Sequence, residues 1–153
     1  LEDWAVIIVL SVNASGPGGG AALQGDVKAM DFEGKCVGDK GAVELAQRLR
    51  DGQYPSLENI WLAKQRISDE GAMALAEAME SGACASLKQL VLEDNCIRDK
   101  GTLALVEAIR GGKCPSFECL AIDGNMFRED GWNALEALQQ QTSPSINVWF
   151  GSG

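Results

Sequence analysis

From Val27 onward the apolar positions return every 30 residues. Four stretches align on that period: VKAMDFEGKCVGDKGAVELAQRLRDGQYPS from Val27, LENIWLAKQRISDEGAMALAEAMESGACAS from Leu57, LKQLVLEDNCIRDKGTLALVEAIRGGKCPS from Leu87, and FECLAIDGNMFREDGWNALEALQQQ from Phe117. Unit positions 1, 4 and 6 are apolar in every copy, as Val27, Met30 and Phe32; Leu57, Ile60 and Leu62; Leu87, Leu90 and Leu92; Phe117, Leu120 and Ile122. Spacing of three and then two predicts a short strand entered from a turn, its inward side chains feeding one core. Position 11 is apolar again, at Val37, Ile67, Ile97 and Phe127. Glycine then recurs at Gly41, Gly71, Gly101 and Gly131 and opens a stretch of helical spacing, as in Val43, Leu45, Ala46 and Leu49. Asp39, Asp69 and Asp99 stand two residues before that glycine, where a carboxylate caps or favours a helix N-terminus. A period of this size means a stacked architecture.

The run L-x-x-L-x-L-x-x-N/C-x-L followed by a helix resembles a leucine-rich repeat, and the 30-residue unit resembles the ribonuclease-inhibitor-like subfamily. The likeness spans residues 27 to about 146. It implies an α/β fold: a right-handed solenoid with a parallel sheet on the concave side and helices on the convex side. With strands about 4.8 Å apart, four repeats make a short arc roughly 20 Å long. Position 9 carries the family's asparagine at Asn95 and Asn125, whereas Lys35 and Gln65 stand there in the first two repeats. That substitution takes away the usual supplier of loop hydrogen bonds.

The flanks read differently. In residues 1–26, LEDWAV resembles LENIWL and FECLAI, which suggests a degenerate repeat or N-terminal cap whose helix is replaced by a glycine-rich loop. Gly16, Gly18 and Ala21 fit the dinucleotide pattern G-x-G-x-x-G/A. A dinucleotide site needs a helix of about ten or more residues before the next parallel strand. Between Ala21 and the strand at Val27 there is room for barely one turn, interrupted by Gly25, and Asp31 and Glu33 already belong to a repeat strand. No G-x-x-x-x-G-K-[ST] is present. At the other end, Pro144-Ser145-Ile146 repeats the junction of Pro55-Ser56-Leu57 and Pro115-Ser116-Phe117, so residues 147–153 are expected to begin a further strand or a C-terminal cap.

Charge and composition narrow the chemistry. The net charge of −9 and pI near 4.4, without clustered Lys and Arg, argue against a nucleic-acid or anionic-membrane surface and for basic partners. The chain contains no histidine, so Ser-His and Cys-His nucleophiles cannot be built. No catalytic residue, metal ligand set or cofactor motif is assigned. Five cysteines without a C-x-x-C pair fit a reducing, intracellular setting rather than secretion. Cys36 and Cys96, at position 10, are expected as small core thiols; Cys84 and Cys114 share position 28, where the odd count favours free thiols; Cys119 at position 3 is expected exposed. The apolar stretch Trp4 to Val12 is too short to span a bilayer.

With positions 1, 4 and 6 committed to the core, positions 2, 3, 5, 7 and 8 face the open concave surface. Position 2 alternates as Lys28, Glu58, Lys88 and Glu118, a ladder of opposite charges across the sheet, with Asn59 beside it. Glu33, Glu93 and Asp123 at position 7, with Asp31 and Asp94 nearby, form an acidic ridge suited to a basic partner. Trp61 points outward at position 5, and Val91 and Ala121 continue an apolar lane from it. Trp132 reads as packing, while Trp149 and Phe150 either cap the core or meet a partner. These features point to a non-enzymatic module that binds a protein through its concave sheet. The alternative is an architectural subunit of a large assembly. A regulator like the similar repeats of the Ran GTPase-activating branch would need a functional surface arginine, and none of Arg48, Arg50, Arg66, Arg98, Arg110 and Arg128 stands in a setting that marks it.

Overall fold

In the computed structural model, residues 27–142 and 145–151 are described. The expected N-terminal cap at residues 1–26 lies outside them. Strands β1 (Ala29–Asp31), β2 (Asn59–Trp61), β3 (Gln89–Val91), β4 (Cys119–Ala121) and β5 (Asn147–Trp149) alternate with helices α1 (Gly38–Arg50), α2 (Asp69–Glu80), α3 (Asp99–Arg110) and α4 (Glu129–Thr142). All neighbouring strands pair in parallel and in sequence order, so each helix is a crossover to the adjacent strand. The helices stack on one another as a second layer. The chain therefore folds as a leucine-rich-repeat α/β solenoid.

The 30-residue period becomes a strict register: Met30 pairs with Ile60, Ile60 with Leu90, and Leu90 with Leu120. These four side chains are at most 1% exposed, and the position 1 and 6 rows are buried with them. Helices contribute Leu45, Leu75, Leu105 and Leu135 to the same core from the other layer. Burial of such a side chain is worth about 1.5–3 kcal/mol, so the repeated rows, not the three-residue strands alone, hold the array.

Helices α2, α3 and α4 are each tied to the preceding repeat through their N-termini. Asp39 Oδ1 accepts the backbone N–H groups of Ser68 (2.7 Å) and Gly71 (2.9 Å) at the start of α2, while the Ser68 hydroxyl donates to Oδ2 at 2.5 Å. Asp69 does the same for Arg98 and Gly101 of the next unit, and Asp99 for Arg128 and Gly131. The aspartates thus cap the helix of the following repeat, because the orphan N–H groups of one helix open toward the previous unit. The glycine at position 15 follows from this contact. A Cβ at Gly71 or Gly101 would lie 2.7 Å from the capping carboxylate oxygen.

Gln65 corrects the expectation for position 9. Its side chain is fully buried; Nε2 donates to Phe32 O (2.7 Å) and Ala63 O (3.0 Å), and Oε1 accepts from Val37 N (2.9 Å). Asn95 makes the matching set one repeat on, to Leu62 O (2.8 Å) and from Gln65 N (2.9 Å) and Ile67 N (3.0 Å). The extra methylene of glutamine still lets one amide serve both neighbouring loops. Cys36 and Cys96 are exposed instead of core. Cys96 is turned out between the buried Asn95 and Ile97, while Cys36 follows the exposed Lys35 and has a left-handed φ of 54°.

The fifth strand slips by one residue against the Pro-Ser junction. That junction would align Ile146 with position 1 and place Trp149 inward; the observed pairs are Leu120 with Val148 and Ala121 with Trp149. Val148 is 6% exposed and Trp149 is 63% exposed. Phe150 packs edge-on against Trp132 (centroids 4.7 Å apart), which also meets Phe127 at 6.3 Å. Trp132 is therefore packing, and Phe150 covers the end of the core while Trp149 does not.

Candidate concave-face site

The register sets the site. Position 5 forms one row across the sheet, Asp31, Trp61, Val91, Ala121 and Trp149, so two tryptophans bracket two small residues. Position 3 runs beside it as Ala29, Asn59, Gln89, Cys119 and Asn147, and position 7 adds Glu33, Glu93 and Asp123 on the other side. The result is a trough with Val91 and Ala121 as floor, tryptophan ends and an acidic edge. Trp61 and Trp149 stand three strands apart, about 14 Å at the usual strand spacing.

A cavity of about 700 Å³ opens at the Trp149 end, lined by Val91, Glu93, Cys119, Asp123, Val148 and Trp149 among others. A second of about 310 Å³ lies at the Trp61 end, against Asp31, Glu33, Lys64 and Val91. Val91 lines both. The exposed apolar lane expected from Trp61 through Val91 and Ala121 is corrected: both small residues are only 7% exposed, and Trp61 itself is half-buried. Short side chains between bulky neighbours on adjacent strands become the bottom of a groove. Cys119 is likewise half-buried instead of exposed.

Lys28, Glu58, Lys88 and Asp94 fall outside the trough, while Asp31 and Glu33 line its Trp61 end. Lys28, Glu58 and Lys88 lie at the entry to the strands, where Lys88 Nζ approaches Glu58 Oε2 at 4.0 Å. Such an exposed pair adds little stability. Asn59 is half-buried in the position 3 row. Asp94 leaves the sheet with a left-handed φ of 55°; its N–H donates to Asp123 O at 2.9 Å, and its carboxylate lies against Gly124. Asp31 accepts the Glu33 N–H at 3.0 Å, while Glu33 is exposed.

The electrostatics concentrate at Glu93. Its carboxyl is held above the ordinary glutamate range, first by partial burial, then by Asp123, with which it shares a hydrogen bond, and by Asp94. Among the described residues neither Glu93 nor Asp123 has an ion-pair partner. Burial also raises the Cys119 thiol, with Glu93 and Glu118 adding and hydrogen bonds from Gln89 and Trp149 opposing. Trp149 is the residue that sequence reasoning left undecided: its outward direction depends on the slipped register of β5, which only pairing reveals. No cluster of three metal-ligating side chains occurs among the described residues.

Comparison with known proteins agrees with this architecture. The family model described as leucine-rich repeat matches residues 83–106. A solved structure of leiomodin-1 actin-binding site 2 superimposes with a TM-score of 0.65 at 17% identity, covering 84% of this chain and 72% of that one. At that identity the likeness shows the fold. No curated protein matches the chain. Among the described residues no helix is long and apolar enough to cross a membrane.

Proposed function

We propose that the protein is a non-enzymatic interaction module that binds a protein partner through its concave sheet. The observation that carries this reading is the trough bracketed by Trp61 and Trp149, since large aromatics flanking a partly desolvated groove are the commonest energetic anchors of protein interfaces. The acidic edge favours a basic partner, and the net charge of −9 would speed its approach. The neighbour's name refers to actin; for this chain the partner class is argued from its own charge. The 30-residue unit supports the ribonuclease-inhibitor-like type of repeat, and the exposed Cys36 and Cys96 thiols favour a reducing, intracellular setting.

A second reading, an architectural subunit, is favoured by one observation. Val43 (40% exposed), Met73 and Leu103 (39% exposed) occupy the same unit position on α1, α2 and α3 and form an apolar row on the helical face. Crosslinked capture from native extract separates the two, comparing wild type with Trp61→Ala/Glu93→Lys and with Val43→Asp/Leu103→Asp. The concave variant should lose the partners that wild type and the helical-face variant retain. Loss confined to the helical-face variant would transfer the function to the architectural reading.

A further inference from the structure

We propose that the trough between Trp61 and Trp149 seats an arginine side chain from an extended basic segment of the partner, its guanidinium across Glu93 and Asp123 and its stem on Val91 and Ala121. The inference rests on the concave-face reading and specifies what that face recognises. Three features of the trough select this occupant. Its floor is the apolar surface of Val91 and Ala121, along which an aliphatic stem can lie. Its edge offers two carboxylates on adjacent strands, close enough to hydrogen-bond each other, and neither is ion-paired among the described residues. A planar fork with five donors spans two such acceptors, whereas an ammonium group meets them as a point charge.

Trp149 supplies the third feature. It stands at the end of the trough with 63% of its surface open, although its neighbour Val148 is buried and Phe150 packs on Trp132. An exposed indole beside two carboxylates lets a guanidinium stack on the ring while it bonds the acids. An extended segment fits this seat, because the groove follows the position 5 row across the strands, between the position 3 and position 7 side chains.

The test uses the whole protein and three capped peptides, Gly-Ser-Arg-Ser-Gly and its lysine and citrulline counterparts, followed by nitrogen-15 NMR. The arginine peptide should shift the Trp149 indole N–H and the Val91 and Ala121 amides, and bind about tenfold tighter than the uncharged citrulline peptide. In Glu93→Gln/Asp123→Asn that preference should vanish, and in Trp149→Ala, which leaves the core intact, binding should weaken for the arginine peptide. Equal binding of the citrulline peptide, equal binding of the lysine peptide, or shifts away from the trough would overturn the assignment. If the arginine peptide shifts nothing while partner capture still depends on Trp61 and Glu93, this inference falls and the interaction reading stands. If the peptide seats as expected while capture ignores the Trp61→Ala/Glu93→Lys variant, the seat stands and the interaction reading falls.

Discussion

Replacing Gln65 by alanine should be among the most damaging single changes to the array, although the residue departs from the asparagine expected at its position. The substitution removes partners from the buried Phe32 carbonyl and from the half-buried Val37 N–H and Ala63 carbonyl. The Phe32 carbonyl keeps the Lys35 N–H at 2.9 Å, so the cost falls on the Val37 N–H and the Ala63 carbonyl, about 1.5 kcal/mol each for partly buried groups. The sum is about 3 kcal/mol, a large share of the ~5–15 kcal/mol that holds a domain together. For a chain of this length that corresponds to a fall in Tm of roughly 10 °C. Thermal and urea melts followed by circular dichroism read it directly, with the exposed Arg66→Ala as the control expected to stay near wild type. Gln65→Asn should recover at least half of the loss, since Asn95 makes the equivalent bonds one repeat on. A Gln65→Ala protein within about 1 kcal/mol of wild type would refute the claim that this amide joins the first two repeats.

Three further outcomes follow from the same geometry. Asp69→Ala should cost about 1–2 kcal/mol by uncapping α3, with faster amide exchange at Arg98 and Gly101 rather than within α2; protection lost only in α2 would contradict the inter-repeat cap. Alkylation of the native protein at neutral pH should modify Cys36 and Cys96 first and Cys119 more slowly; Cys84 and Cys114, pushed up to about 12 and about 11 by burial, should react only on unfolding. Glu93→Gln should raise Tm at neutral pH. A carboxyl whose folded pKa lies above its unfolded value binds its proton more tightly when folded, so stability is lost as pH rises out of the ordinary glutamate range, and the neutral amide removes that loss. An unchanged slope of Tm against pH would show that Glu93 does not carry the effect.

Much of the fold was legible because core burial leaves a periodic mark. Positions 1, 4 and 6 are apolar in every copy, and the same rows pair in the sheet. What escaped the sequence depends on contacts between units. Asp39 reads as a cap for its own helix, yet its acceptors face the helix 30 residues on. Gln65 reads as a broken ladder because residue type alone does not show that its longer stem reaches Phe32. Val91 was expected open because alternation gives the direction of a side chain but not the height of its neighbours. The trough itself needed the register of β5. The Pro-Ser junction placed Trp149 one residue out of phase, and only the pairing of Val148 with Leu120 turned the indole toward the concave face.

The central claim is that this face, and not the helical one, meets the partner. Hydroxyl-radical footprinting of the protein alone and with its captured partner reads the side chains of both faces in one measurement. Trp149 and Trp61 report the trough, while Met73 and Leu103 report the helices. Protection of the two tryptophans with Met73 and Leu103 unchanged is the predicted result; protection of Met73 and Leu103 with Trp149 still fully reactive would contradict it.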